Sequence, residues 1–185
     1  LQQAFDADGN VTSVTDALGH AWQYAYDAAG MLKTSTDPVG RAESLTRDAM
    51  GHVTSVQTRA GTTITSTYDL AGRPVSISYP GTTPTQYTYD AAGNLASVTN
   101  AAGTVSMTHD KLGRRTSLTD VSGKTMGYTY TAAGRLASMT YPGSKTVTYD
   151  FDAVGRLSVM KDWAGHQTAF TYDAAGQLTR IDLPN

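Results

Sequence analysis

The stretch Tyr89-Asp90-Ala91-Ala92-Gly93 decides the fold of this chain, because an aromatic-Asp-x-x-Gly phrase recurs along its entire length. Six copies begin with Tyr or Phe, at positions 5, 26, 68, 89, 151 and 172. Weaker copies begin at Arg47, His109 and Tyr130, the last with Thr131 in place of Asp. The closing glycines lie at 9, 30, 51, 72, 93, 113, 134, 155 and 176, which is a 21-residue period with a single 20-residue step. This regularity predicts a single array over residues 1–185, with about nine copies of one structural unit.

The composition excludes several classes of protein. Charged residues make up 16% of the chain and the net charge is −2, so the basic stripe of a nucleic-acid-binding protein is missing. No apolar run approaches the roughly 20 residues of a membrane-spanning helix. The chain has no cysteine, which rules out disulfides and thiolate ligands and is consistent with folding in a reducing cytoplasm. Thr, Tyr, Gly and Asp are frequent, and these residues favour strands and turns, so the chain is predicted to be all-β.

One repeat, residues 86–105, contains two strands and two turns. Gln86-Tyr87-Thr88-Tyr89 alternates polar and aromatic residues, as a strand does. In the turn at 90–93, Asp accepts backbone hydrogen bonds and Gly takes a positive φ. A second strand at 94–99 leads to a second turn at 100–103. Each repeat is therefore predicted to be a β-hairpin that stacks on its neighbours.

The first strand of each repeat has one apolar face. The residues one, three and five positions before each Asp include Trp22, Tyr24, Tyr26, Ile64, Tyr68, Tyr87, Tyr89, Met126, Tyr128, Tyr130, Val147, Tyr149, Phe151, Phe170 and Tyr172. The opposite face carries small polar groups such as Thr65 and Thr67. We expect aromatic and β-branched side chains to form ladders across neighbouring strands.

The second strand departs from strict alternation. Its apolar residues lie five and eight positions after the Asp, as in Leu95 and Val98. A spacing of three predicts a β-bulge or a strong twist that curves the sheet. The second turn varies more, with Pro-Gly or Pro-Asn of the type II kind in Tyr79-Pro80-Gly81, Tyr141-Pro142-Gly143 and Leu183-Pro184-Asn185. The two turns account for 17 of the 18 glycines, and Gly127 is the exception.

The row of acids could hold calcium or cap the turns. One carboxylate per repeat is too few for the several oxygen ligands of a calcium site, and Thr131 would be a poor ligand although it can still hold a turn. We therefore predict a purely structural role. The predicted turn residues are Asp6, Gly9, Asp27, Gly30, Asp48, Gly51, Asp69, Gly72, Asp90, Gly93, Asp110, Gly113, Thr131, Gly134, Asp152, Gly155, Asp173 and Gly176.

The sequence offers no catalytic, cofactor-binding or metal-binding residues. The acid pairs that could suggest a hydrolase, Asp6 with Asp8 and Asp150 with Asp152, lie beside turns, where we expect them to be solvated. The four histidines lack the spacing of metal ligands, and no phosphate loop or Gly-x-Ser-x-Gly elbow is present. We expect this segment not to be an enzyme and to need no cofactor.

Aromatic rows could also stack on sugars. Tyr87 and Tyr89 are the residues on which a carbohydrate-binding or cell-surface adhesion module would depend. Hairpin arrays that bind glycans rely on tryptophan, and this chain has only Trp22 and Trp163. Packing is the favoured role of the tyrosines, and the adhesion module is kept as the alternative function.

The phrase Tyr-Asp-Ala-Ala-Gly-x-Leu, seen at 89–95 and 172–178, resembles the YD repeat of RHS proteins over essentially the whole chain. Arg-Leu after the Gly, typical of that family, occurs at 135–136 and 156–157. The resemblance implies a curved, single-layer sheet of hairpins that spirals into a hollow shell. Relatives include bacterial Rhs polymorphic toxins, the C component of insecticidal toxin complexes, and teneurins.

The cysteine-free, Ala/Thr/Gly-rich style favours a bacterial member, whose shell would enclose a C-terminal toxic domain. The resemblance implies manufacture in the bacterial cytoplasm and export by type VI secretion or a similar route. Implied partners are the rest of the shell and the enclosed toxin, with secretion-apparatus or immunity proteins engaged through the parent chain, and neither nucleic acid nor a membrane span. Both ends fall inside a repeat, so we expect a piece of a longer protein.

The self-cleavage motif of the family, an Asp-Pro-x-Gly sequence followed by further glycines, is not found in this chain. The segment at 37–40 has the form Asp-Pro-x-Gly, but it occupies a second-turn position and is predicted to be an ordinary turn. No toxic activity is therefore expected of these residues.

Overall fold

A computed structural model describes residues 1–184, and all of its regular structure is β. The chain divides into two compact units, Leu1–Tyr87 with Thr99–Ala101, and Thr88–Val98 with the residues from Ala102 onward. The first unit contains β1 (Gln2–Phe5), β2 (Val11–Thr15), β3 (Ala21–Tyr26), β4 (Leu32–Thr36), β5 (Ala42–Arg47), β6 (Val53–Gln57), β7 (Thr63–Tyr68) and β8 (Pro74–Ser78). Two strands, β9 (Thr85–Tyr89) and β10 (Leu95–Asn100), have residues in both units. The second unit contains β11 (Gly103–His109), β12 (Arg115–Thr119), β13 (Thr125–Tyr130), β14 (Leu136–Tyr141), β15 (Lys145–Phe151), β16 (Leu157–Lys161), β17 (Gln167–Tyr172) and β18 (Leu178–Asp182).

Within each unit, every strand pairs antiparallel with the strand that follows it in sequence. Among residues 1–184, strands contact only their sequence neighbours in each unit, so no second layer covers the sheet. Val147 is the one hydrophobic side chain in this range that is buried. The predicted all-β fold of repeated hairpins is confirmed. The single array over residues 1–185 is predicted from the 21-residue period of the sequence. This period runs through both units, and the single array stays a prediction.

The phrase forms a five-residue hairpin loop. In the loop at 27–31, the N–H of Gly30 donates to the carbonyl of Asp27 at 2.9 Å, and the N–H of Asp27 donates to the carbonyl of Met31 at 2.9 Å. Gly30 has φ of 74°, a conformation that costs glycine little. This is a type I turn followed by a glycine in the left-handed region, a common connection between antiparallel strands.

The second strand of these hairpins contains the predicted bulge. Tyr26 lies opposite Leu32 and Ala25 lies opposite Thr34, which leaves Lys33 without a partner. The same register shift occurs in the other seven hairpins of this type whose two strands lie in one unit. The extra residue always lies between the fifth and the eighth residue after the turn acid. It therefore explains why the apolar residues at these two positions are spaced by three. Such bulges increase the local twist of a strand pair.

The hairpins that enclose the second turn pair without a register shift, as in Ser13↔Gln23, Val14↔Trp22 and Thr15↔Ala21. The Pro-Gly turn at 79–82 has Gly81 at φ of 73° and a hydrogen bond of 3.2 Å from the N–H of Thr82 to the carbonyl of Tyr79, as a type II turn requires. The corresponding turn at 141–143 is followed by Ser144 with φ of 62°. The third copy ends at Asn185, which lies outside the described residues.

The single 20-residue step has a local cause. Only residues 101–102 separate β10 from β11, whereas five residues, 16–20, separate β2 from β3. The connection is three residues shorter, and the flanking strands extend further into it than β2 and β3 do. The missing residue is therefore absorbed at a second turn, and the phrase itself keeps its length.

Candidate functional site

The recurrent geometry of the phrase is centred on its carboxylate. Asp69 Oδ1 accepts hydrogen bonds from the N–H groups of Ala71 at 2.9 Å and Arg73 at 3.0 Å. The bond from the fourth residue recurs at each acid of the phrase: Asp6, Asp27, Asp48, Asp90, Asp110, Asp152 and Asp173. At the exception, Thr131 Oγ1 accepts the N–H of Arg135 at 3.1 Å. A hydroxyl and a carboxylate therefore hold the same turn.

Several second turns are also closed by an Asp carboxylate that accepts a backbone N–H, although the sequence of the second turn varies. Asp16, Asp37, Asp120 and Asp162 each accept the N–H of the residue four positions later, at 2.9 Å in every case. Sequence reasoning missed these four acids as turn caps. The signal was present, because each is followed three residues later by Gly. The Asp-Pro-x-Gly segment at 37–40 is such a turn, and Asp37 is only 4% exposed.

The other carboxylate oxygen holds the side chain of that fourth residue. Asp69 Oδ2 accepts Arg73 Nε at 2.8 Å, and Asp48 Oδ2 lies 2.9 Å from His52 Nδ1. The partner is Arg at 41, 73, 114 and 156, His at 20, 52 and 166, and Asn at 10 and 94. The turn thus fixes the direction in which this side chain leaves the hairpin.

These hydrogen bonds stabilise the ionised form of the acids. The side-chain bond from Arg73, followed by its backbone bond, lowers the pKa of Asp69. The side-chain bond from His52 does the same to the pKa of Asp48. At Asp37, desolvation is the largest influence and raises the pKa, but the hydrogen bonds from Arg41 and Val39 together outweigh it and the net shift is downward. These carboxyls are therefore held as anions.

The side chain that the turn fixes lies against the aromatic residue of the next repeat. The rings of His52 and Tyr68 stack with centroids 4.9 Å apart and planes inclined by 23°. Guanidinium groups take the same place in the second unit, 4.5 Å above the ring for Arg114 on Tyr130 and 4.6 Å for Arg156 on Tyr172. Arg135 lies 5.6 Å above the ring of Phe151, although Thr131 holds only its backbone N–H. Each such contact links one hairpin to the corresponding hairpin of the next repeat.

The turn glycine of the next repeat lies under the same side chain. A Cβ on Gly72 would fall 2.6 Å from His52 Nε2, and one on Gly113 would fall 3.1 Å from Asn94 Oδ1. At Gly30, by contrast, a Cβ would meet nothing within 4 Å. Some of these glycines are therefore required for two reasons. They take a positive φ, and they leave room for a side chain of the preceding repeat.

The tyrosine hydroxyl completes the link. Tyr26 donates to the carbonyl of Val11 at 2.8 Å, beyond the last paired residue of β2 in its register with β3. Tyr68, Tyr130 and Tyr172 donate in the same way to the carbonyls 15 residues earlier. Arg47, in a weak copy of the phrase, replaces this hydroxyl with Nη1, which lies 2.6 Å from the carbonyl of Leu32. We call the turn acid, the residue four positions later and the aromatic residue of the next phrase the inter-repeat clasp.

His109 occupies the aromatic position in the repeat that follows the 20-residue step. Its side chain is 10% exposed, and Nδ1 lies 3.6 Å from Asp90 Oδ2. Within residues 1–184, Nδ1 is a buried atom with no hydrogen-bond partner. This clasp therefore lacks the hydrogen bond that Tyr26 and its counterparts supply.

The structure does not assemble the other sequence candidates into a reaction centre. Asp8 and Asp150 are exposed. Tyr87 and Tyr89, named for a glycan-binding alternative, are half-buried. Across residues 1–184, no group of three or more His, Asp or Glu side chains is arranged to hold a metal ion. The same part of the chain contains no helix with the length and apolarity needed to cross a membrane. The arrangement that recurs is the clasp, and what it does chemically is join adjacent repeats.

Removal of the tyrosine hydroxyl tests the clasp. We expect Tyr26→Phe to lower the free energy of unfolding by about 1 kcal/mol, because the Val11 carbonyl loses its donor. The matched control is Tyr24→Phe on the same strand, since the Tyr24 hydroxyl takes part in none of the side-chain hydrogen bonds found within residues 1–184. Urea denaturation measures both. Equal losses in the two variants would contradict the role given to the Tyr26 hydroxyl.

Two glycines with nearly the same φ allow the cost of backbone strain to be measured apart from the cost of a clash with a neighbouring side chain. Gly30 and Gly72 have φ of 74° and 75°. We expect Gly30→Ala to cost about 1 to 2 kcal/mol from the left-handed conformation alone. Gly72→Ala should cost more, because the added methyl group displaces the His52 ring. Thermal and chemical unfolding of both variants give the comparison, and a smaller loss at Gly72 would refute the close approach.

Acid should weaken the fold. A native pKa held below the unfolded value of about 3.9 contributes stability that is fully present above about pH 4 and is lost as the pH falls through the native pKa. We therefore expect the free energy of unfolding, measured in urea, to fall as the pH drops below about 4. In Asp69→Ser, a hydroxyl holds the turn as Thr131 does, so the decline should be shallower than in the parent. Identical pH profiles would argue against the carboxylates as its cause.

Comparison with known proteins agrees with this architecture. The family model described as Teneurin YD-shell matches residues 39–183, and the model described as RHS Repeat matches residues 5–42. No curated protein matches the chain.

Solved structures share the fold. The Tc holotoxin pore of Photorhabdus luminescens carrying a TccC3 mutation is similar with a TM-score of 0.64 and 21% identity, over 99% of this chain and 12% of that one. TcdB2-TccC3 without its hypervariable C-terminal region gives a TM-score of 0.63, 21% identity and the same two coverages. A further TcdB2-TccC3 structure gives 0.57 and 15% identity, over 97% of this chain and 13% of that one. The chain thus spans only about an eighth of the length of these structures. The match of the Teneurin YD-shell model to residues 39–183, which is most of the chain, shows that the chain belongs to the teneurin YD-shell family of RHS/YD-repeat proteins.

Proposed function

We propose that this chain is a wall segment of the shell of a bacterial Rhs polymorphic toxin, in which the shell encloses a C-terminal toxic domain until delivery. The observation that carries the proposal is the inter-repeat clasp. At several repeats it joins one hairpin to the next by a side chain lying on a ring, as at His52 and Tyr68, and by a hydroxyl-to-carbonyl hydrogen bond, as at Tyr68 and Val53. A sheet held together in this way can be extended by further repeats without needing a second layer.

The similar structures support containment as the function. One is a Tc holotoxin pore with a TccC3 mutation and the other two are structures of TcdB2-TccC3, one of which lacks a region described as hypervariable and C-terminal. A toxin with a variable C-terminal region needs a constant part that contains it. We infer that this chain belongs to the constant part, as one portion of a much longer protein.

In this proposal the chain itself catalyses nothing. Its turn acids are engaged by backbone N–H groups, with the pKa of Asp69 lowered first by its side-chain bond from Arg73. A carboxyl held as an anion in a turn is poorly suited to general acid catalysis. Self-cleavage and toxicity would be properties of other parts of the parent protein.

The partners follow from containment. They are the remaining shell of the same protein and the enclosed toxic domain, with secretion-apparatus or immunity proteins engaged by the parent. The protein would be made in the bacterial cytoplasm and then exported, by type VI secretion or another contact-dependent route.

Protection of the cargo tests the proposal. In the full-length parent protein, we expect the C-terminal domain to resist a protease that digests the same domain expressed alone. The variant Asp48→Ala with Tyr68→Ala removes the acid and the ring of one clasp and should speed cleavage of the enclosed domain roughly tenfold or more, by favouring local opening of the wall. The control is Leu70→Ala, two residues after Tyr68, because Leu70 is 95% exposed and outside the clasp. If the domain is cut as fast in the parent as it is alone, containment is wrong.

A further inference from the structure

One face of the strands carries very little charge over most of the chain. Its bulge position, where Thr116 Oγ1 lies 2.7 Å from Thr108 Oγ1, holds one charged residue, Lys33. This face, called here the hydroxyl face, consists of the residues two and four positions before each turn acid or Thr131, and seven and nine positions after it. From Gln2 to Thr148, every residue at these positions is Ser, Thr, Gln, Ala or Gly. At these four positions charge enters only in the last two repeats, at Asp150, Lys161, Arg180 and Asp182.

The strand register places these residues side by side within each unit. In the first unit Thr34 lies opposite Ser44, which lies opposite Gln57. In the second unit Thr129 lies opposite Ser138, which in turn lies opposite Thr148. Residues directly opposite each other share a face of the sheet, and alternation puts the clasp rings on the other face, called here the ring face.

The hydroxyls bond to one another. Thr108 Oγ1 lies 2.7 Å from Ser117 Oγ, and Thr129 Oγ1 lies 2.7 Å from Ser138 Oγ. Thr140 Oγ1 lies 3.0 Å from Thr146 Oγ1. In the second unit, part of the hydrogen-bonding capacity of this face is therefore used within the sheet, and less is left to hold a molecule that touches it.

The ring face is charged over the same repeats. Glu43, Arg47 and Arg115 lie on its strands, at positions one or five before, or five after, the turn acid. The guanidinium groups of Arg59 and Arg114 lie over the rings of Trp22 and Tyr130. Charge of both signs, mixed with apolar groups, is what keeps an outer protein surface soluble.

We propose that the hydroxyl face lines the interior of the shell and touches the enclosed polypeptide, while the ring face is turned to solvent. This inference rests on the proposed containment function. A surface with little charge attracts neither acidic nor basic segments strongly, and hydroxyls that are bonded to each other offer fewer sites of adhesion. The interior wall would then confine an enclosed polypeptide of either net charge without binding it tightly.

Adjacent residues on opposite faces provide the test. Ser66 is on the ring face, Thr67 is on the hydroxyl face, and this chain contains no cysteine to confuse labelling. Ser66→Cys and Thr67→Cys are made in the full-length parent and treated with a maleimide carried on a long polyethylene glycol. The rate of labelling at each site, read by peptide mass mapping, is divided by the rate for the same variant unfolded in urea. Thr168→Cys and Thr171→Cys form a second matched pair in β17, in case the first pair does not fold.

We expect Thr67→Cys to be protected roughly tenfold or more relative to Ser66→Cys, because the reagent cannot enter a closed shell. The reverse result, protection at Ser66 alone, would overturn the assignment of faces and leave containment standing. Protection of both sites would also overturn it, since the ring face would then be covered as well. Rapid labelling of both would mean that no closed interior exists, and containment and the face assignment would fail together.

Discussion

The hydrogen bonds from backbone N–H groups to a turn carboxylate are the interaction on which the rest of the structure depends. Asp69 Oδ1 holds the N–H groups of two residues, and this closes a loop in which Gly72 takes a positive φ. The remaining oxygen then fixes the direction of Arg73. Backbone closure and side-chain placement thus come from one carboxylate, and each repeat needs a single such group in the phrase.

A single-layer sheet has little core, so the stability of each unit comes from contacts between adjacent strands. Val147 is the one buried hydrophobic side chain within residues 1–184, and most residues on the ring face are half-buried. Half-burial of this kind is shared between neighbours, because rings such as Tyr68, Tyr130 and Tyr172 are covered from one side by the residue that the preceding turn holds out. Stability is then close to a sum over nearest-neighbour links, as in other repeat proteins. An error in one link weakens the wall locally.

Much of the fold could be predicted from the period alone, since it fixes where turns and strands fall. The bulge was also predictable, because a spacing of three between Leu95 and Val98 cannot fit strict alternation. The clasp could not be predicted, because it joins residues about 15 to 17 positions apart whose closeness depends on strand register. Nothing local to Arg47 indicates that its guanidinium replaces a tyrosine hydroxyl at the Leu32 carbonyl. The acids of the second turn, such as Asp16, were within reach of sequence reasoning but were obscured by the more varied residues around them.

The position of the 20-residue step indicates which insertions and deletions such a repeat protein can tolerate during evolution. Because a clasp connects only successive repeats, a duplication or loss of one whole repeat carries whole clasps with it and leaves the others intact. An insertion or deletion of one residue inside the phrase would instead shift the register of the hairpin that it closes, and the side chains of the following strand would move to the wrong face. The two-residue connection between β10 and β11 shows where such a change is tolerated. Lengthening by whole repeats, with single-residue changes confined to second turns, is the course that this geometry leaves open to gene duplication.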